Sequence, residues 1–403
     1  MPSDRQPRIA ELRSETASAA LAEWSARHAA ATDRLGLATF LRARFPPNLA
    51  RALAEQFELR QRAGTKFAEP ARMLFERKAL EQATRIDVAR WRAARVKQFA
   101  PNGAVIDATC GLGADTIALA EAGIRVLGIE YDETLAALAA HNLRESTGRD
   151  CVVVASAAAL PSRAFHAYFD PDRRAAGARG LDPERWSPPL SVAIACARTL
   201  RGTCIKLAPA IELESCALPD QGEFPWHPIW VSAGGELREC SLWCGEWAGD
   251  SRQGEREAVK LDANASLSAV PLAVDALEAE AALRVRWLAD PDPAVIRSGL
   301  LGNVAARSRS RPLAPKIAYL GSLDAIDDPL LDARPVLAAC ALDPKHVKRM
   351  LAEHDVGALE VRKRGHPEPA EVLARKFAGP GSRRGVLVVA RLERGHAAYL
   401  LGP

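Results

Sequence analysis

The stretch VIDATCGLGADTIALA, Val105–Ala120, decides the fold. A short apolar run leads into Asp107, Gly111 and Gly113 follow closely, and a helical pattern starts at once. The two glycines permit a backbone course that side chains would block, and Asp115 suits the helix N-terminus as a capping residue. A strand that turns into a helix this tightly opens a βα unit of a doubly wound sheet and makes room for a ligand.

Two cofactor classes use such a loop. A dinucleotide fingerprint, G-x-G-x-x-G, needs a third glycine where Thr116 stands. The other pattern, D-x-x-x-G-x-G, puts an acid ahead of the glycines. That carboxylate repels a pyrophosphate and suits a cofactor bearing an amino group and a sulfonium, which describes S-adenosylmethionine. In RVLGIEYD, Glu130 ends the next strand, where an acid accepts both ribose hydroxyls, and Tyr131 follows to pack on adenine. An acid there also occurs in nicotinamide-dinucleotide proteins, so the discrimination rests on the two acids together with the glycines. An α/β domain without a ligand has little use for Gly-x-Gly at this junction.

Outward from this unit, VIDAT, RVLGIEY, CVVVAS, HAYFD and TCIKLA alternate with helix-like segments, the signature of a mostly parallel sheet. PIWVSAGGELRECSLWCG reads as an antiparallel hairpin around Gly234-Gly235. Residues 1–95 read as helical, broken at Pro46-Pro47 and Pro70. The expected catalytic unit spans 96–265. Residues 266–403 read as a linker with short helices, Pro-rich around Pro312 and Pro315, followed by a small α+β module.

Composition narrows the class. The 403 residues are 48% apolar and hold no run long enough to span a membrane. The first thirty carry charges throughout and lack the apolar centre of a secretory leader. Eight cysteines lie scattered without paired CxxC sets, so neither a disulfide framework nor a metal site is expected; a reduced, cytoplasmic protein is. Charge is uneven: residues 1–100 hold 19 basic and 11 acidic side chains (+8), 101–283 hold 15 and 26 (−11), and 284–403 hold 20 and 13 (+7). Basic flanks around an acidic centre are the footprint of a polyanion-binding chain, and equally of solvated Arg-rich helices.

VIDATCGLGAD, IEYD and the later FDPDRR together resemble the class I S-adenosylmethionine-dependent methyltransferases over roughly residues 96–265. The resemblance implies a doubly wound, mostly parallel, seven-stranded Rossmann-like α/β sheet and S-adenosylmethionine as cofactor. It places Asp107, Gly111 and Gly113 at the methionine and ribose part of the cofactor and Glu130 at the ribose. Thr109, Asp115, Tyr131, Ser156 and Asp170 complete the expected cofactor set. Ser156 stands in CVVVASAAAL where many members carry an acid for the adenine amino group.

AYFDPDRR ends the fourth strand. Many base methyltransferases have Asp or Asn, Pro-Pro and an aromatic residue here, which hold and stack the target amino group. Asp170 and Pro171 match, whereas Asp172 replaces the second proline and Arg173 the aromatic. Asp170 and Arg173 are therefore the expected catalytic pair, with Arg173 or Arg174 stacking on a base or holding a phosphate. A turn carrying a solvated charge cluster is the plainer alternative. Cys204 lies in the body of its strand and reads as a core residue, while Lys206 and Pro209 approach the pocket edge; Gln82 and Thr84 are placed within reach of the cofactor.

LEVRKRGHPEPAEVLARKF, with ADPDPAVIRSGLLGNVAA before it and GVLVVARL after it, looks like the THUMP-like module that follows methyltransferase domains in a group of bacterial proteins. By analogy with THUMP domains, structured RNA is the implied partner, and Arg362, Lys363, Arg364, Arg375 and Lys376 the implied phosphate contacts. A basic packing module indifferent to RNA is the alternative. The expected activity is methylation of a base nitrogen in tRNA or rRNA. A protein or small-molecule acceptor, and a decayed enzyme that only grips RNA, are its rivals.

Overall fold

The computed structural model describes residues 9–27, 33–158, 160, 166–173 and 182–402. Arg174 lies outside them. The chain divides into two compact units, residues 1–226 with 242–249, and 227–241 with 250–403.

The first unit opens with helices α1 (Ile9–Leu12), α2 (Glu15–Arg27), α3 (Arg34–Arg42), α4 (Pro47–Arg62), α5 (Arg77–Gln82) and α6 (Ile86–Phe99). Trp24, Leu41, Leu53 and Phe57 form a core for α2–α4. On α6 the buried stripe is Val88, Ala89, Arg92, Ala93 and Val96, a helical spacing interrupted by one charge. The segment before α5 is held by two buried amides acting as surrogate strands. Gln56 donates to the Phe75 carbonyl and accepts from the Phe75 amide, and Asn142 does the same for Leu74.

The alternating pattern then becomes β1 (Ala104–Asp107), α7 (Ala114–Glu121), β2 (Arg125–Glu130), α8 (Glu133–Thr147), β3 (Val152–Val154), β4 (His166–Phe169), α9 (Leu190–Ala197) and β5 (Gly202–Leu207). β1 pairs in parallel with β2 on one side and β4 on the other, β2 with β3, and β4 with β5. All six residues of β5 are buried, as expected for a parallel strand covered on both faces. Chain direction reverses its crossovers at β1, so the loops after β1, β2 and β4 open on one carboxyl edge around a crevice.

β6 (Trp226–Ala233) and β7 (Glu236–Gly245) form the expected hairpin, with Gly234 and Gly235 at φ 63° and 71° as a type I′ turn requires. β8 (Arg256–Lys260) and β9 (Ala265–Ala269) follow. The strand order is β3-β2-β1-β4-β5-β7-β6-β8-β9, nine strands where seven were expected. The two additions left little signal in the sequence: β8 is five residues long with charged ends, and β9, ASLSA, alternates half-buried and exposed small residues.

The second unit also holds α10 (Ala279–Ala282), β10 (Trp287–Pro291), α11 (Pro293–Ser298), α12 (Leu301–Arg307), β11 (Arg311–Ala314), β12 (Ile317–Ser322), β13 (Leu331–Ala341), α13 (Pro344–Glu353), β14 (Val356–Arg364), α14 (Ala370–Phe377), β15 (Arg383–Arg391) and β16 (His396–Leu401). Strands β10–β16 make a second sheet, ordered β11-β12-β10-β13-β16-β15-β14. The Pro-rich stretch read as a linker is therefore largely strand. Prolines are disfavoured inside sheets, yet Pro312 occupies β11 and Pro335 occupies β13, each beside irregular register. α13 and α14 lay Val347, Met350, Leu351, Leu373 and Phe377 on Leu387, Val389 and Leu400 of the sheet.

Candidate functional site

The loops at the carboxyl edge of the first sheet, with the α5 segment, enclose a cleft of about 1110 Å³. Its lining includes Thr109, Gly111, Asp115, Glu130, Tyr131, Ser156, Asp170 and Arg173, so residues far apart in sequence converge there. Small-molecule sites run to about 1,000 Å³, which leaves space here for a cofactor and part of an acceptor.

The βα turn is built by the glycines. Gly113 is the N-cap of α7 at φ 87°, without a side-chain cap. Gly111 has φ 53°, and a Cβ built on it meets nothing within 4 Å, so the backbone faces open space. Asp115 was expected to cap the helix, but it sits in the first turn of α7, and its carboxylate is taken by Arg92. Arg92 is 1% exposed and lies 4.4 Å over the Tyr168 ring. A lone arginine on the apolar stripe of α6 was the available signal for this pair.

Asp107 ends β1 and is buried. Thr116 donates to its Oδ2 at 2.6 Å, while Oδ1 is buried without a hydrogen-bond partner. Burial, and then the neighbouring charge of Asp115, push the Asp107 carboxyl up to about 7. Glu130 at the end of β2 accepts the Gly111 amide on Oε2 at 3.0 Å and the Tyr131 and Asp132 amides on Oε1 at 2.9 and 3.1 Å. It thus joins the glycine loop to the start of α8. Tyr131 is 74% exposed, at the mouth. Ser156 is exposed, and its hydroxyl accepts the Ala158 amide.

Thr109 links this half to the next. Its hydroxyl accepts the Asp170 amide at 2.6 Å. The Asp170 carboxylate receives Lys206 Nζ on Oδ2 at 2.7 Å, and Lys206 also donates to the Thr84 hydroxyl at 3.0 Å. Asp172 accepts Gln82 Nε2 at 2.7 Å, and its backbone forms a two-bond bridge with Ser187. Gln82 and Thr84 therefore line the same cleft, but their bonds go to Asp172 and Lys206. Arg173 borders the cleft and its guanidinium makes no ion pair among the described residues. Cys204 is fully buried.

The arrangement fits S-adenosylmethionine. The open side of Gly111 admits close approach and Glu130 stands at the neighbouring strand end, while Asp107 and Gly113 lie just behind the lining residues, Asp107 with its unpartnered Oδ1 buried beneath Ala108 and Thr109. No group of three or more His, Cys, Asp or Glu residues able to hold a metal occurs among the described residues.

In the second unit, three of the five basic residues singled out from the sequence are engaged by carboxylates. Arg362 bonds Asp332 and Glu360, Arg364 bonds Asp290, and Lys376 pairs with Glu368. Lys363 donates to the His366 carbonyl and Arg375 to the Glu371 carbonyl. Arg375 is exposed and makes no ion pair among the described residues, and the same holds for Lys345, Lys348, Arg384, Arg391 and Arg394.

Comparison with known proteins agrees with this geometry. Residues 335–403 match the THUMP domain-like family. An uncharacterized S-adenosylmethionine-dependent methyltransferase of Mycobacterium tuberculosis, represented in two strains, is 32% identical over 371 residues, covering 89% of this chain and 98% of the relative. Among solved structures, a candidate methyltransferase of Porphyromonas gingivalis superposes with a TM-score of 0.70 at 18% identity, over 96% of this chain and 98% of that one. The last similarity establishes a shared fold.

Proposed function

Because the chain belongs to the S-adenosylmethionine-dependent methyltransferases and ends in a THUMP-like domain, we propose that it methylates a base nitrogen in structured RNA, with tRNA or rRNA as substrate. The observation that carries this reading is the Asp170 carboxylate at the cleft wall, with Oδ2 on Lys206 and Oδ1 without a partner among the described residues. A single free carboxylate oxygen is an acceptor for one N–H of an amino or ring nitrogen.

S-adenosylmethionine supplies an electrophilic methyl group on a sulfonium and leaves as S-adenosylhomocysteine. Asp107 and Glu130 hold the cofactor's amino and ribose ends, Gly111 and Gly113 give the backbone its close approach, and Thr109, Asp115, Tyr131 and Ser156 border it. Asp170 orients the acceptor nitrogen and takes the proton it sheds as the N–CH3 bond forms and the S–CH3 bond breaks. Arg173 contacts a neighbouring base or phosphate. Residues 1–95 serve as a helical lead-in that completes the catalytic unit, and the C-terminal module presents the RNA.

Asp107 makes cofactor binding pH-dependent. A carboxyl raised to about 7 in the folded chain adds stability that is full below about pH 4 and is lost as pH rises through about 7. The ionised form is the one that holds an ammonium. Cofactor affinity measured by calorimetry is therefore expected to rise between about pH 6 and 8, and in Asp107→Asn to be weaker and flat. A parent titration flat over that range removes Asp107 from the cofactor set.

RNA binding has its own signature. Affinity for small structured RNA should fall with salt, with a log–log slope of about −0.7 to −0.9 per phosphate contact. Because Arg362, Arg364 and Lys376 are engaged by carboxylates, Arg375 and the exposed Lys345, Lys348, Arg384, Arg391 and Arg394 are the better phosphate contacts. Arg391→Glu with Arg394→Glu is expected to reduce both affinity and slope, whereas Arg362→Ala should chiefly lower thermal stability.

The decisive test is transfer of radiolabelled methyl from S-adenosylmethionine into fractionated extract of a strain lacking the protein. Label in small RNA supports the proposal. Label in protein or metabolites replaces RNA with that acceptor class. Cofactor binding without any label identifies a non-catalytic RNA-binding chain.

A further inference from the structure

The floor of the cleft holds a cation that the methyltransferase resemblance does not require. Lys206 is the fifth residue of β5 and is 8% exposed. A buried ammonium needs a counter-charge and partners for its donors. Lys206 finds Asp170 Oδ2 at 2.7 Å and the Thr84 hydroxyl at 3.0 Å. Thr84 is itself buried, in the turn between α5 and α6, and 122 residues of sequence separate it from Lys206. The same N-terminal segment supplies Gln82 to Asp172. Both acids of the DPD turn are thus gripped by side chains from other elements, one through Lys206 and one directly.

We propose that Lys206, anchored by Thr84, is a positioning residue for methyl transfer: it holds Asp170 in one rotamer, occupies Oδ2, and leaves Oδ1 to receive the acceptor nitrogen. This rests on the reading of Asp170 given above. A strand-end aspartate without such a partner turns about two side-chain torsions and samples several staggered wells. Locking it with a hydrogen-bonded cation keeps the acceptor within the narrow range of geometry that transfer needs. The N-terminal helical region then contributes to the acceptor subsite through Thr84 and Gln82.

Lys206→Met, Lys206→Arg and Thr84→Val in the full chain separate positioning from packing. Three quantities are read: dissociation constants for S-adenosylmethionine and S-adenosylhomocysteine by calorimetry, the Asp170 rotamer in crystals grown with S-adenosylhomocysteine, and methyl transfer into the RNA and protein fractions described above. In Lys206→Met, kcat is expected to fall about 100-fold, with KM and both dissociation constants changed by no more than about threefold. The Asp170 carboxylate should leave its parent position. Lys206→Arg, which keeps the charge, should restore part of kcat, and Thr84→Val should lower it about 10-fold, the lower end expected for one lost hydrogen bond to a charged group.

An Asp170 rotamer unchanged in Lys206→Met overturns the proposal, as does a kcat within about threefold of the parent. If Lys206→Met does not fold, the rotamer and kcat of Thr84→Val decide, because that variant removes one bond and no charge. If the parent labels neither fraction, the acceptor reading fails, and the rotamer comparison still decides the role of Lys206.

Discussion

Asp170→Asn is expected to lower methyl transfer by about 10²- to 10³-fold while cofactor affinity stays within about threefold. The amide is isosteric with the carboxylate and its oxygen can still face Lys206, so the β4 end and the Thr109 bond to the Asp170 backbone are preserved. What is lost is the second anionic oxygen, which in the proposed mechanism orients the acceptor N–H and receives its proton. Asp170→Ala should be as inactive, and less stable as well. It strands the Lys206 ammonium, whose side chain is 9% exposed beside an Asp170 side chain at 24%, and losing one partner of such a pair costs about 3 kcal/mol. Single-turnover transfer, with circular dichroism as the control for folding, separates the two variants. Transfer by Asp170→Asn at a rate near that of the parent would leave Asp170 a structural anion and end the base-nitrogen mechanism.

Arg92→Ala carries the largest expected effect on stability. The guanidinium and Asp115 form a pair with side chains 1% and 9% exposed, and the arginine also covers the Tyr168 ring. Truncation leaves a buried carboxylate unpaired close to Asp107, whose own carboxyl is already raised by burial and by Asp115. The cost should be about 3–5 kcal/mol, visible in urea unfolding as a lower midpoint with an unchanged slope. Because Asp115 sits in the first turn of α7, beside the glycine loop, saturating cofactor should return about 2.7 kcal/mol at a hundredfold excess over its dissociation constant. Adding Asp115→Asn to Arg92→Ala should recover part of the loss, since no unpaired charge then remains. Equal stability of parent and Arg92→Ala would mean that the pair sets only the register of α6 on α7.

The glycine turn and the acid that braces it were legible in the sequence because they are local. Asp107, Gly111 and Gly113 lie within one βα turn, and Glu130 ends the very next strand, so spacing along the chain nearly equals arrangement in space. The proposed acceptor side was marked only by a motif. DPDR marked Asp170, but the partners that orient it, Lys206 and Thr84, lie 36 and 86 positions away and become neighbours only when β4 pairs with β5 and the α5 segment closes over the edge. In the C-terminal module, counting basic residues in LEVRKR overstated the free charge. Arg362 and Arg364 alternate with Lys363 along β14, and tertiary packing brings to them Asp332 of β13 and Asp290 of β10, which face each other across paired strands.

Composition, periodicity and one glycine-rich turn were enough to determine an α/β chain with a mostly parallel sheet and the chemical type of its cofactor, because these rest on local motifs and on their alternation along the chain. Tertiary structure alone decided the nine-strand sheet, the strands within the Pro-rich segment, the burial of Arg92 on Asp115, and the clasp of Lys206 and Thr84 on Asp170. Those features are pairings between distant segments. Their energy comes from removing charges and amides from water together, and no single stretch of the chain records which partner each will meet.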